Sequence, residues 1–277
     1  MDQKNFIIAI VLSVLIIVGW QQAFPPAKTP PATTTAQQQA ATPGSPAGTA
    51  ATPQPGAGQG TVQPGTPAAQ PAKVVSRGEA LALTPRVTFD TPELLGSISL
   101  KGGRIDDVRL VKYRETVDPK SDPVAVLSPV GSAHPYYAEF GWSAADPSVK
   151  VPGPDTLWTA SAPTVAPGKP VRLTWDNGQG LVFALDITLD DFFMFRVTQS
   201  VENKSDKPVT VYPWSLAVRY GEPKADGTYI LHEGPYGVFN GSLKEFSYSD
   251  FKDKPKQNFS TTGGWVGITD KYWMATL

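Results

Sequence analysis

The residues from Val171 to Tyr220 fall into short runs in which apolar and polar side chains alternate, and this pattern restricts the fold more than any other feature of the chain. Successive side chains of a β-strand point to opposite faces of its sheet, so a two-residue period predicts a strand with one buried face. Turn residues separate the runs at Asn177-Gly178, Asp190-Asp191 and Lys204–Pro208. The segment therefore predicts four antiparallel strands that follow one another as a meander. In the second strand the apolar face consists of Leu181, Phe183, Leu185, Ile187 and Leu189.

Shorter runs upstream also predict extended structure. Glu79–Leu83 and Arg86–Phe89 are brief candidate strands. Leu94–Leu100 and Arg104–Tyr113 flank Gly102-Gly103, and glycine readily adopts the positive φ of a tight hairpin turn. These two runs therefore predict a β-hairpin.

One downstream segment allows two interpretations. Ser242-Leu243-Lys244-Glu245 has the spacing of a capping box that opens a short helix. Phe246, Tyr248 and Asp250 continue the segment with the alternation of a strand. The sequence leaves both possibilities open.

Strand after strand with polar turns between them predicts a mainly β fold, a large antiparallel β-sandwich that occupies residues 73–277. The aromatic side chains of this region are expected to pack in the core or on a sheet face, and an aromatic ligand cleft is the alternative. The apolar run at residues 263–277 stops without a turn or a charged tail. We therefore expect the domain to continue beyond residue 277. The tryptophans that we expect in the core or on a sheet face are Trp142, Trp158, Trp175 and Trp214.

The N-terminal segment 1–24 predicts a transmembrane anchor. Phe6–Trp20 carries no charge, and with Gln21–Phe24 the segment reaches 19 residues before Pro25, just enough for a helix to cross a hydrocarbon core about 30 Å thick. The alternative is a cleaved signal peptide, for which Gln21 and Ala23 make a poor cleavage site. Lys4 and the terminal amine precede the apolar run, which favours a cytoplasmic N-terminus and an exported remainder.

The segment 25–72 has a composition typical of a disordered linker. It contains 11 of the 28 prolines, among Ala, Thr, Gln and Gly, and it cannot bury enough apolar surface to offset the entropy cost of ordering. As a flexible coil its 48 residues would span about 35–40 Å.

The sequence carries little that indicates enzyme chemistry. The chain has no cysteine and only two histidines, His134 and His232, so we expect no catalytic, cofactor-binding or metal-binding residue. Adjacent acids at Asp106-Asp107 and Asp190-Asp191 are expected to bond backbone N–H groups at turns or strand starts. From Lys73 onward 22 Lys and Arg face 24 Asp and Glu, which argues against a nucleic-acid partner. A carbohydrate-binding or sugar-epimerase-like sandwich, anchored in the membrane, is the alternative function.

Several stretches resemble one known family, the YidC membrane protein insertases of bacteria. The start MDQKNFIIAIVLSVLIIVGWQQAFPP resembles the first transmembrane segment of the long Gram-negative form, and the linker is similar to that of α-proteobacterial members. Three further stretches resemble the family's periplasmic domain: GGRIDDVRLVKY (102–113), HEGPYGVFNGSLKE (232–245) and GGWVGITDKYW (263–273).

The resemblance implies an inner-membrane protein that inserts and folds other membrane proteins, alone or with the Sec translocon. It implies a periplasmic β-supersandwich, a cytoplasmic N-terminus, and contact with nascent membrane proteins, Sec subunits and the lipid bilayer. It implies no cofactor and no enzymatic step, and the family's intramembrane insertion core lies outside this chain. The segment from Ser242 to Trp273 is the expected partner contact, through Ser242, Glu245, Tyr248, Trp265, Asp270, Tyr272 and Trp273.

Overall fold

Antiparallel sheets dominate the computed structural model, which describes residues 67–71, 73–222, 232–270 and 272–277. The mainly β fold expected from the alternating sequence is therefore confirmed. The predicted anchor at 1–24 and most of the predicted linker lie outside the described residues. Within the described part of the chain, no helix has the length and apolar character needed to cross a membrane.

The first sheet has six strands, in the order β1-β2-β3-β5-β10 with β4 also paired to β3. The predicted hairpin between β2 and β3 is confirmed, and both Gly102 and Gly103 have positive φ, at 80° and 64°. A register shift interrupts the β2–β3 pairing at Ser97/Ile98. The strands are β1 (Arg86–Asp90), β2 (Leu94–Ser99), β3 (Arg104–Arg114), β4 (Pro123–Leu127), β5 (Tyr136–Ala144) and β10 (Val211–Arg219).

The second sheet has four strands in the order β6-β7-β8-β9. All four strands predicted between 171 and 220 exist, but the predicted meander is wrong for the last of them. β10 leaves the second sheet and pairs with β5 of the first, from Val211 opposite Ala144 to Arg219 opposite Tyr136. A strand with one apolar face can pair in either sheet, so its local pattern does not identify the neighbour. The strands are β6 (Thr159–Ala160), β7 (Val171–Asp176), β8 (Leu181–Leu189) and β9 (Phe195–Asn203).

The first two sheets enclose the hydrophobic core between them, as in a β-sandwich. All five apolar residues of the alternating face of β8 are buried, as predicted. Across the core, Trp142 of β5 meets Phe183 of β8 edge-on at 5.1 Å between ring centroids. Trp158 lies 6.4 Å from Trp142, and Trp175 lies 5.8 Å from Phe183. Three of the four tryptophans thus pack in or against the core, and Trp214 lies across Gly141 of the neighbouring strand.

The third sheet follows in the chain and has the order β12-β11-β13-β14. The segment left open by its sequence forms a strand, β12, rather than a helix. Asn240 and Gly241, with φ of 50° and 76°, form the tight turn that folds β12 back on β11. The elements are β11 (Gly234–Phe239), β12 (Ser242–Glu245), the short helix α2 (Asp250–Asp253), β13 (Gly264–Asp270) and β14 (Trp273–Thr276).

A helix stands where Glu79–Leu83 predicts a strand. Helix α1 spans Arg77–Ala82, and Ser76 caps it: the Ser76 hydroxyl accepts from the Glu79 N–H, and the Ser76 N–H donates to the Glu79 carboxylate at 2.9 Å. This capping box satisfies N–H groups that the first turn leaves without partners. The prediction of a strand is therefore wrong because the cap outweighs the alternation of a five-residue run.

Asp106 and Asp107 do not bond backbone N–H groups at a turn, as the sequence suggested. Both lie inside β3 and are 3% exposed. Asp106 pairs with Arg86 of β1, and Asp107 pairs with Arg77 of α1 at 2.5 Å. The partners lie 20 and 30 residues away, so the pairing depends on the fold. Asp190 does behave as expected, because its carboxylate accepts the N–H groups of Phe192 and Met194.

Residues 67–71, at the end of the predicted linker, lie against the folded domain. Ala68 is buried and its carbonyl accepts from the Tyr220 hydroxyl at 2.8 Å. The Gln70 side-chain oxygen accepts from the Gly131 N–H at 3.2 Å. The packed chain thus begins before residue 73, the boundary that composition indicates.

Candidate partner-contact surface

The third sheet has one face attached to the sandwich. Ile268, Trp273 and Ala275 pack against the main core. The Tyr136 hydroxyl of β5 donates to the Ile268 carbonyl at 2.8 Å, and Tyr113 of β3 meets Trp273 edge-on at 4.8 Å. These contacts come from two different strands of the first sheet, so they fix the orientation of the third.

An ion pair reinforces this attachment. Arg219, near the end of β10, donates to Asp270 at the end of β13, and the guanidinium lies 5.1 Å from the centre of the Tyr136 ring. Burial raises the pKa of Tyr136, and the Asp270 carboxylate adds to this rise. Deprotonation of the Tyr136 hydroxyl, which would remove its hydrogen bond to β13, is thus disfavoured in the folded domain.

The opposite face of the third sheet carries a row of apolar side chains, which we call the apolar face. Residues directly opposite one another in antiparallel strands share a face, and the register places Val238 opposite both Leu243 and Trp265. Leu243 is 53% and Met274 59% exposed. The apolar face consists of Tyr236, Val238, Leu243, Trp265 and Met274.

Tyr236 organises the apolar face. Its ring meets Trp265 edge-on at 4.9 Å, and its hydroxyl donates to the Met274 sulfur. Gly267 lies opposite Tyr236 and is buried. A Cβ at Gly267 would stand 2.5 Å from the Ala275 carbonyl oxygen, so a side chain is excluded there. Glycine at this position thus leaves room for the tyrosine to reach β14.

An open apolar surface of this kind is suited to binding a partner. Isolated apolar residues are common on protein surfaces, whereas contiguous apolar patches mark interaction sites. The aromatic pair has few rotatable bonds to immobilise, as in many interaction hot spots. The arrangement is therefore suited to contact with an apolar partner surface.

The structure places all seven predicted contact residues on or beside the third sheet but does not bring them together. Trp265 and Glu245 lie on the apolar face, where Glu245 stands opposite Tyr236, and Ser242 stands on the other face opposite Phe239. Asp270 and Trp273 stand opposite each other on the face that joins the sandwich.

The remaining two predicted residues lie outside the sheet. Tyr248 follows β12, and burial raises the pKa of its hydroxyl. Tyr272 is 75% exposed in the turn between β13 and β14. Sequence reasoning missed Tyr236, Val238, Leu243 and Met274. The Asn240-Gly241 turn could have identified the first three, because it fixes the β11–β12 register. Met274 lies on β14, which pairs with β13 and not with this hairpin.

A polar region, separate from the apolar face, covers the outer side of the first sheet. A cavity of about 370 Å³ lies there, bordered by residues 68–71, α1 and the strands β1 to β3. Arg104 pairs with Glu139 at 3.2 Å, and their side chains are 5% and 2% exposed. Burial raises the pKa of Asp106 and of Glu139, and the arginine opposite each opposes that rise. Each buried carboxylate faces its own arginine, which indicates a structural role.

Both histidines lie outside the described strands. His134 lies exposed in the loop before β5, and the His232 Nε2 atom lies 3.5 Å from the Pro235 carbonyl oxygen. In the described ranges, no group of three or more His, Cys, Asp or Glu residues could hold a metal ion.

Comparison with known proteins places these features in a family context. The family model described as the YidC periplasmic domain matches residues 86–277. The membrane protein insertase YidC of Bradyrhizobium diazoefficiens is 46% identical over 289 residues, which cover 100% of this chain and 46% of the relative. Those of Methylorubrum extorquens and Beijerinckia indica are 46% and 44% identical, covering 99% and 100% of this chain. The chain spans about half the length of these curated relatives.

Proposed function

Because the chain belongs to the YidC family of membrane protein insertases, we propose that it is the N-terminal part of an insertase and chaperone for integral membrane proteins. The proposal assigns insertion, folding and assembly of membrane proteins to the whole protein, acting alone or with the Sec translocon. Identity of 46% over the full chain supports it. The proposal includes no catalytic step, cofactor or metal.

We propose that residues 1–24 cross the bacterial inner membrane with the N-terminus in the cytoplasm. Residues 25–72 would then link this anchor to a periplasmic domain, residues 73–277, against which the last linker residues, 67–71, are packed. The uncharged run Phe6–Trp20 and the preceding Lys4 support this topology.

One observation supports a partner-binding role for this half of the protein, namely the open apolar face of the third sheet. Tyr236 and Trp265 form its centre, and Leu243 and Met274 stand exposed beside them. The opposite face is fixed to the sandwich through Arg219 and Asp270. We propose that this surface contacts nascent membrane proteins or Sec translocon subunits on the periplasmic side of the bilayer.

Depletion of the full-length protein from its own cells tests the insertase function. A pulse-labelled membrane protein client is followed by protease protection of its translocated loops. We expect protection to fall on depletion and to return when the wild-type gene is supplied. Normal insertion of several unrelated clients after depletion would contradict the proposal. If depletion changed only glycan processing, the result would support the carbohydrate-related alternative.

A further inference from the structure

The turn between β8 and β9 presents three consecutive apolar side chains to solvent. Phe192, Phe193 and Met194 are 65%, 46% and 65% exposed. Hairpin turns usually carry Gly, Asn, Asp, Ser or Pro, so large apolar residues at all three positions are unusual. We call these three residues the apolar tip.

The backbone of the apolar tip is held by one carboxylate. An Asp190 oxygen accepts the N–H groups of Phe192 and Met194, both at 2.9 Å. The Asp190 N–H in turn donates to the Met194 carbonyl at 3.0 Å. Polar backbone groups that leave water without a partner cost several kcal/mol in a bilayer. Three backbone groups of the tip already have partners, namely the N–H groups of Phe192 and Met194 and the Met194 carbonyl. The tip can therefore enter an apolar medium at lower cost.

The hairpin below the tip is long and anchored in the core. β8 and β9 pair without interruption from Leu181 opposite Asn203 to Leu189 opposite Phe195. Phe195 packs edge-on against Phe89 of the first sheet at 5.2 Å. The tip therefore extends beyond a paired and anchored ribbon, where lipids can surround its exposed side chains.

Basic and acidic residues both lie near the tip. Arg196 lies opposite Thr188, and Lys169 lies in the turn before β7 at the same end of the sheet, because Val171 pairs with Ile187. Neither basic side chain has an ion pair within the described part of the chain. Asp190 and Asp191 carry the opposite charges. Burial of apolar surface, rather than attraction to anionic lipid, is thus the available driving force.

We propose that the apolar tip inserts into the headgroup region of the bilayer to which the domain is tethered. This inference rests on the proposed function, because the anchor at 1–24 supplies the membrane. Three apolar side chains bind lipid weakly on their own. If residues 25–72 form the flexible linker that their composition predicts, tethering would give an effective concentration on the order of mM. A coil of about 35–40 Å would keep the domain close to the surface. The tip would then orient the sandwich relative to the membrane.

The absence of cysteine allows a direct test. Phe192→Cys is labelled with an environment-sensitive fluorophore in the 277-residue chain, anchor and linker included, which is reconstituted into vesicles of phosphatidylethanolamine and phosphatidylglycerol. Leu157→Cys is the matched control, because Leu157 is also apolar and 60% exposed. Flotation reports attachment of the chain to vesicles. Quenching by lipids that carry a doxyl group near the headgroup or deep in the acyl chain reports the depth of the label.

We expect both variants to float with the vesicles. Only the emission of the label at 192 should shift to the blue and be quenched, most strongly by the lipid that carries its doxyl group near the headgroup. Vesicles of phosphatidylcholine alone should give the same result. Flotation with equal, unquenched emission from both labels would overturn the tip proposal and leave the proposed function intact. Failure to float would count against the anchor and the tip together. A blue shift at 192 that requires an added membrane protein client would assign the tip to a protein partner and overturn the lipid contact.

Discussion

Arg219 of β10 donates to Asp270 of β13, and this pair ties the third sheet to the first. The two residues lie 51 positions apart in the chain. Their side chains are 14% and 29% exposed, so the pair is partly shielded from solvent. The contact fixes one face of the third sheet, and it leaves the apolar face of Tyr236, Leu243 and Trp265 directed away from the sandwich.

Removal of this pair should weaken the whole domain. Asp270→Asn leaves the partly buried Arg219 without a carboxylate, and we expect the free energy of unfolding to fall by about 1–3 kcal/mol. Urea denaturation followed by tryptophan fluorescence measures the change. Asp186→Asn is the control, because its partner Arg172 is 51% exposed and such surface pairs contribute under about 1 kcal/mol. Equal losses in the two variants would refute this role for Asp270.

Alkaline solution should destabilise the domain through Tyr136. Burial raises the pKa of Tyr136 in the folded protein, whereas an unfolded tyrosine ionises near pH 10. Above about pH 10 the folded state therefore binds more protons than the unfolded state, and stability falls as pH rises, by up to about 1.4 kcal/mol per pH unit. Below about pH 9 this group contributes no pH dependence.

Tyr136→Phe provides the test of that assignment. At neutral pH the variant should lose about 1 kcal/mol, because the hydrogen bond to the Ile268 carbonyl is gone. Its unfolding free energy should then decline less steeply than that of the wild type above pH 10. An unchanged alkaline slope, measured by urea titration across the pH series, would show that Tyr136 is not the group responsible.

Two glycines with positive φ should differ sharply in their tolerance of alanine. Gly103→Ala adds a Cβ 2.9 Å from a Leu185 methyl group and 3.1 Å from the Trp158 ring nitrogen, whereas a Cβ at Gly168 meets nothing within 4 Å. Backbone strain alone should cost about 1 kcal/mol in Gly168→Ala. Overpacking should raise the cost to about 2–4 kcal/mol in Gly103→Ala. Thermal unfolding of both variants distinguishes the two contributions, and similar melting temperatures would show that overpacking at Gly103 adds no cost.

The core between the two sandwich sheets should depend strongly on Phe183. This side chain is fully buried and contacts Trp142 and Trp175. Phe183→Ala should cost about 3–5 kcal/mol. Tyr212→Ala, at a position that is 43% exposed, should cost under about 1 kcal/mol. A loss below about 1 kcal/mol in Phe183→Ala, measured in urea, would place the core elsewhere.

Local patterns predicted most strands but not their partners. Gly102-Gly103 and Asn177-Gly178 correctly indicate turns because positive φ is needed there, at 80°, 64° and, for Gly178, 70°. The buried face of β8 follows from its two-residue period. The transfer of β10 to the first sheet, and the pairing of Asp106 with Arg86, depend on contacts between distant segments that no local pattern specifies.

The same short motif has opposite outcomes at two places. Ser76 and Glu79 form a capping box and open α1, whereas Ser242 and Glu245, with the same spacing, lie in β12. The difference comes from the preceding residues. Asn240-Gly241 before Ser242 favours a tight hairpin turn, which pairs β12 with β11. The apolar face depends on this pairing of β12 with β11. The sequence predicted contact residues on and beside the third sheet, but it did not predict which of them share a face.

The most direct test of the contact surface is site-specific photocrosslinking in the full-length protein, in native inner membranes that are synthesising a membrane protein. A photoreactive amino acid replaces Leu243 on the apolar face or, as control, Tyr212, near the opposite end of β10 from Arg219; the two positions are 53% and 43% exposed. We expect adducts with the nascent protein or a Sec subunit from position 243, their loss in Trp265→Ser, and no such adducts from position 212. The same adducts from both positions, or none from position 243, would contradict the proposed contact surface.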